Sequence, residues 1–178
     1  VAGVFGVLTL TFLANQVATG LALTIFGIGL SALIGTNFVG VALEPLPKLN
    51  IVGLSTIPVL GKILFGQDVL VYLSLVLITG VAYFLARTRQ GLILKAVGES
   101  PDSAHSLGYS VLTVRYMAVL FGGFMSGLGG AYLSLAYTPL WAENMTAGRG
   151  WIALALVVFG TWRAGRVALG AYLFGAIT

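Results

Sequence analysis

The apolar positions of this 178-residue chain fall in long runs broken by short polar stretches, and that pattern sets most of the architecture. No charged side chain appears before Glu44. A helix rising 1.5 Å per residue crosses a hydrocarbon core in about 20 residues, so Val1 to Gly35 is too long for one span. The stretch "ANQVATG", Ala14–Gly20, interrupts it. The pattern predicts the tail of one apolar segment, a polar break at Asn15 and Gln16, and a span from about Val17 to Gly35. Residues 36–67 carry three prolines and scattered glycines, which argue against a long helix and predict an external or interfacial loop. Asp68–Ala86 and Val111–Tyr137 read as two further spans.

Arg87, Arg89 and Lys95 form the densest basic cluster, and the positive-inside rule places residues 87–110 in a cytoplasmic loop. "TPLWAENMTAGRG" becomes the outer connection after the third span. "WIALALVVFG", 151–160, either crosses with help from 146–150 or dips in and turns. Crossing keeps Arg163 and Arg166 inside and preserves the charge bias, and is the preferred expectation. Val167–Ile177 is a final apolar run. With a start at Val1 and a stop inside that run, the chain is expected to be a fragment of a longer membrane protein.

Composition agrees with lipid as the main solvent. Charged residues make up 8% of the chain, where soluble domains carry roughly 25%. Mean hydropathy is +1.03. The formal charge of +4 sits in short loops without interleaved aromatics, which fits membrane topology and excludes nucleic acid as a partner. There is no cysteine, so disulfides and thiolate sites are ruled out, and the lone His105 has no second ligand nearby to make a metal site. "TIPVLGKI", 56–63, lacks the first Gly and the final Ser/Thr of a phosphate loop. No nucleophile–base–orienter set is readable, so no catalytic residue is assigned and the chain is not expected to be an enzyme.

One polar island stands out. "LKAVGESPDSAHSLGYS", Leu94–Ser110, holds two of the five acids and the only histidine. Ser100 suits an N-cap, Pro101 suits N1, and Asp102 lies where a helix dipole favours an anion. Gly108 suits a left-handed C′ position. These signals predict a helix over 101–107, about 10 Å long, with Ala104 and Leu107 on one face and Asp102, Ser103 and Ser106 largely off it. On these features it is either a tidy connection between spans or a rigid docking helix for a cytoplasmic partner.

The stretch "GLILKAVGESPDSAHSLGYSVLTVRYMAVLFGGFMSGLGGAYLSL" resembles the permease subunits of ATP-binding-cassette importers in the ribose, nucleoside and branched-chain amino-acid group. The match falls on Ala96, Val97, Gly98, Glu99, Pro101, Ala104 and Gly108, and departs at Ser100, where Asn is commoner, and at His105, where Ala is common. "ANQVATGLAL" and "YTPLWAENMTAGRGWIALALVVFG" resemble the same family, the latter its nucleoside and simple-sugar branch. The resemblance implies one all-α polytopic permease domain over 1–178, a bundle with broken or re-entrant helices in a bacterial plasma membrane. It implies that Gly98, Glu99, Ser100, Pro101, Asp102, Ala104 and Gly108 form the coupling element against a cytoplasmic ATPase. That ATPase would bind ATP–Mg; this chain would bind no cofactor. A second permease subunit and an extracytoplasmic solute-binding lipoprotein complete the implied assembly in membrane lipid.

Two further sets are candidates for function. Asn15 and Gln16 must pair or face water at membrane depth, and a polar break can mark a discontinuous helix beside a solute path. Asn144, Arg149 and Trp151, with Glu143 and Trp141, supply amide, charge and aromatic groups suited to a sugar or nucleoside; they also suit an aromatic belt or the face that meets a binding protein. Gly122, Gly123, Ser126, Gly127 and Gly130 provide small residues four apart, the pattern that lets helices approach closely in lipid. Few charges lie within the spans, which favours a neutral solute over an ion-coupled secondary transporter. A membrane scaffold without transport is the other alternative.

Overall fold

The structure is a computed structural model that describes residues 1–41 and 68–177. Most of the expected 36–67 loop, with Glu44, Lys48, Lys62 and the 56–63 stretch, lies outside the described residues. The described chain is helical: α1 Ala2–Gly6, α2 Gln16–Gly35, α3 Val69–Arg87, α4 Arg89–Glu99, α5 Pro101–Ser106, α6 Val111–Tyr132, α7 Arg149–Phe159 and α8 Ala164–Ile177. Val39 and Trp141 form an isolated parallel bridge.

Three helical stretches are long and apolar enough to cross a membrane: Gln16–Phe38, Val69–Arg87 and Val111–Tyr137. None of their most apolar windows is buried within the chain. Long helices that are apolar all round and bury nothing have lipid or another subunit as their surroundings. The helical fold meets the demand that every backbone N–H and C=O be satisfied internally in hydrocarbon. The chain is an all-α membrane protein.

Two compact units divide the chain. The first comprises Val1–Gly40, Tyr83–Ala131 and Trp141–Met145; the second comprises Val41, residues 68–82, Tyr132–Leu140 and 146–177 of those described.

In the first unit, α1 passes into a π-helical turn, Val7–Thr11, and then breaks before α2. Leu13 adopts φ 54° in that break. Asn15 caps the new helix: its side-chain oxygen accepts from the N–H groups of Val17 at 3.0 Å and Ala18 at 3.1 Å. The expected polar interruption is therefore a capped restart of the helix, and capping already occupies the Asn15 carbonyl. α1 lies against α6. Gly6 faces the Tyr116 ring, where an added Cβ would come within 3.1 Å, and the Thr11 and Tyr116 hydroxyls hydrogen-bond.

In the second unit, α7 and α8 form a helical hairpin. A Cβ at Gly160 would stand 2.6 Å from Val167, and one at Gly170 would stand 3.5 Å from Leu156, so the two helices run back along each other. Thr161 and Trp162 make the turn in the left-handed region, φ 52° and 59°. The Arg166 guanidinium donates to the Thr161 hydroxyl at 2.9 Å across it. With 11 residues α7 is about 16 Å long, roughly half a hydrocarbon core. The chain turns back through Gly160 into α8, which puts Arg163 and Arg166 at the hairpin turn.

Candidate functional site

The polar island folds into two helices joined by a single residue. Thr88 opens the first: its side chain accepts from the Gly91 N–H at 3.0 Å while its hydroxyl donates to the Phe84 carbonyl at 2.7 Å. α4, Arg89–Glu99, follows where the sequence had suggested only a loop. Ser100 is extended, φ −146° and ψ 91°, and breaks the helix. It caps α5 at once: its Oγ accepts from the Ser103 N–H at 3.4 Å and donates to the Ser103 hydroxyl at 2.7 Å. Pro101 occupies the first turn and Asp102 lies in it, where the dipole favours an acid.

The far end is closed as firmly. Gly108 adopts φ +86°. Its N–H donates to the His105 carbonyl at 2.9 Å, and the Tyr109 N–H donates to the Ala104 carbonyl at 3.1 Å. That pair of bonds is a Schellman closure, which needs a left-handed residue between them. α5 itself ends at Ser106, one residue short of the expected 107, because Leu107 at ψ 2° already leaves the helix.

α4 and α5 pack on each other. Val97 of α4 and Ala104 of α5 are the buried apolar side chains of the described chain, at 2% and 1% exposure. Leu107 does not share the face of Ala104, as its spacing had suggested; it is 75% exposed, since the chain has left helical geometry there. Gly98, Glu99, Asp102, His105 and Gly108 are exposed, and Ser100 and Pro101 are half-buried. The residues expected to couple thus sit together on one two-helix body, whose exposed residues include Glu99, Asp102 and His105 and two leucines, Leu92 on α4 and Leu107 after α5.

The other expected residues fall on several elements. Asn15 and Gln16 stand exposed at the start of α2. Asn144 belongs to the first unit and adopts φ 63°; Arg149 and Trp151 belong to the second, at the start of α7. The Arg149 guanidinium lies 4.8 Å from the centroid of the Tyr137 ring, a cation–π pair that the sequence reading missed. Trp151 is 71% exposed. Of the small-residue set, Gly123 alone meets a neighbour: a Cβ there would collide with that of Ala2. Gly122, Gly127 and Gly130 face open space and Ser126 is exposed, so within the described chain the stripe packs nothing beyond α1.

Two contacts carry no local signal in sequence. The Trp141 ring occupies the place where a Cβ on Gly35 would stand, pinning residues 141–145 to the end of α2. Gly91 lies directly on the Phe84 carbonyl, with Leu85 Cα only 2.8 Å from where its Cβ would be. The Thr88-x-x-Gly91 spacing, a cap three residues before a glycine, was the readable trace of that second contact.

Comparison with known proteins gives these features a family. The family model described as the permease component of the branched-chain amino acid transport system matches residues 1–178. The chain is 42% identical over 180 residues to a putative glucose ABC transporter permease protein of Haloferax volcanii, covering 99% of this chain and 55% of that protein. It is 40% identical over 126 residues to a nucleoside ABC transporter permease of Lactococcus lactis, covering 70% and 40%. It is 33% identical over 174 residues to a guanosine ABC transporter permease of Bacillus subtilis, covering 93% and 53%. The chain spans about half the length of the curated relatives it matches. No solved structure matches it. Matched from first residue to last, the chain belongs to the family of permease components of branched-chain amino acid transport systems.

Proposed function

We propose that this chain forms part of a transmembrane permease subunit of an ATP-driven importer for nucleosides or simple sugars. The observation that carries this reading is the double-capped α5, held on α4 by Ala104 and Val97 and presenting Leu107 at 75% exposure. Six residues do not make a stable helix alone. Here caps and one buried contact fix the helix, and the face left over is shaped to be pressed upon. A cytoplasmic ATPase that binds ATP–Mg would dock there, with Leu107 as its apolar anchor and Glu99, Asp102 and His105 around it. This chain would hydrolyse nothing. Gly98, Glu99, Ser100, Pro101, Asp102, Ala104 and Gly108 form the coupling element, and residues 87–110 face the cytoplasm.

The solute class rests on the names of the relatives, which are glucose, nucleoside and guanosine permeases. The spans agree in character: α2 has no charged residue, α3 has Arg87 only at its end, and α6 has Arg115 in its second turn. A path with so little fixed charge suits a neutral polar solute and lacks the buried acids of ion coupling. Gln16, Asn144, Arg149 and Trp151 remain the candidates to line or gate the path, with Asn15 acting through its cap. A second permease subunit would cover the exposed apolar faces, including the Gly122–Gly130 stripe, and a solute-binding lipoprotein would meet the side opposite α5. The small residues Gly123, Ser126 and Gly127 would then allow close approach between helices. The location is the plasma membrane, multi-pass.

The test is capture of the ATPase by the full permease, followed by hydrolysis stimulated by solute-loaded binding protein. Leu107→Asp is expected to abolish capture without unfolding the permease, because Leu107 is exposed. Failure of the unsubstituted permease to capture any ATPase would sink the reading.

A further inference from the structure

The contact between Gly91 and Phe84 has a mechanical consequence that rests on the coupling role of α5. α5 has two covalent routes into the spans. Towards α6 it passes through Gly108, at φ +86° with nothing within 4 Å of where its Cβ would stand, and then through exposed Tyr109 and Ser110. The backbone bonds of that link run back to α5, from Gly108 to His105 and from Tyr109 to Ala104. Towards α3 it passes through α4, on which α5 is packed by Ala104 and Val97. α4 in turn is fixed to the last turn of α3 at several points. The Phe84 carbonyl accepts from the Thr88 N–H at 3.2 Å and from the Thr88 hydroxyl at 2.7 Å. The same hydroxyl receives the Gly91 N–H at 3.0 Å. Gly91 is buried, and its missing Cβ is what lets the α4 backbone lie on Phe84 and Leu85.

We infer that Gly91 is a positioning residue that welds the α4–α5 body to the end of α3. A push on α5 is then delivered to the Val69–Arg87 span as movement of one rigid piece, and only loosely to α6. Close packing of this kind transmits displacement because interiors hardly compress. Any Cβ at 91 must move away from Leu85 Cα by about 1 Å to reach ordinary contact distance, which opens the weld. Thr88 is the second positioning residue, since its hydroxyl bonds both sides of the joint, the Phe84 carbonyl and the Gly91 N–H.

The experiment uses the full permease reconstituted in vesicles with its ATPase and binding protein, and reads solute moved per ATP hydrolysed. Gly91→Ala is expected to keep ATPase capture and basal hydrolysis while the ratio falls by about tenfold, less than the roughly hundredfold that a 1 Å misplacement can cost a catalytic centre. Thr88→Ser, which keeps both bonds, is expected to match the unsubstituted ratio, and Thr88→Val to fall between. Capture with an unchanged ratio in Gly91→Ala would overturn this inference alone. Absence of capture by the unsubstituted permease would overturn the functional reading and this one with it. Should Gly91→Ala fail to fold, spin labels on exposed positions 83 and 95 of the otherwise unsubstituted permease decide the matter. A constant separation between nucleotide-free and ATP-bound states supports the weld, and a changed separation overturns it.

Discussion

α5 and α7 are both short, and they are held in opposite ways. α5 has 6 residues and is closed at each end: the Ser100 hydroxyl covers its first turn and Gly108 its last. α7 has 11 residues and opens on Gly148, left-handed at φ 76°, with no side-chain cap. Its first residue, Arg149, puts a cation where the helix dipole repels one, and the Tyr137 ring at 4.8 Å is what receives it. α7 is held along its length, by packing of Leu156 and Gly160 against α8. The shorter helix thus owes its definition to both ends as well as to Ala104 on its packed flank, and the longer one to its flank without an N-terminal side-chain cap. Closed ends let α5 hold its shape with one flank on α4 and the other exposed, at Asp102, His105 and Leu107.

The largest expected effect breaks the flank. Gly160→Val puts bulk within 2.6 Å of the Val167 side chain and 3.0 Å of its backbone nitrogen. The cost expected for overpacking is about 1–3 kcal/mol, seen as faster hydrogen exchange across α7 and α8 with α5 unchanged. Equal loosening of α5 would erase the contrast. Next is the tail of α5: Gly108→Ala forces a Cβ into φ +86° at about 1–2 kcal/mol, and exchange at Leu107–Tyr109 should rise. At the head, Ser100→Ala removes the cap at about 1 kcal/mol, with faster exchange at the Ser103 amide and none at α7. The smallest is Arg149→Gln. It loses a ring contact of about 0.5 kcal/mol and relieves a similar repulsion by the dipole, so α7 exchange should change by less than about 0.5 kcal/mol. A clear loss there would mean that Arg149 does cap α7 and that the two helices are built alike.

The legible part of the site was the part made by neighbours in sequence. Ser100, Pro101 and Gly108 announce their own roles because capping acts over three or four residues, and it acts the same way in any surroundings. The α4 helix was hidden by its composition, since Arg89, Gln90 and Lys95 made 87–110 look like a solvated loop. Leu107 was misplaced because helical spacing was carried one residue past the point where the chain stops being helical.

By itself the sequence determined that the chain lives in lipid, where its long apolar runs fall, and the ends of α5, because hydropathy and capping are sums over adjacent residues. Only the tertiary structure decided that 151–160 turns back at Gly160, that Trp141 seats on Gly35, and that Gly91 rests on Phe84. Each of those depends on two backbones meeting where a side chain is missing, and a lone glycine in sequence does not name the partner it was left bare to meet.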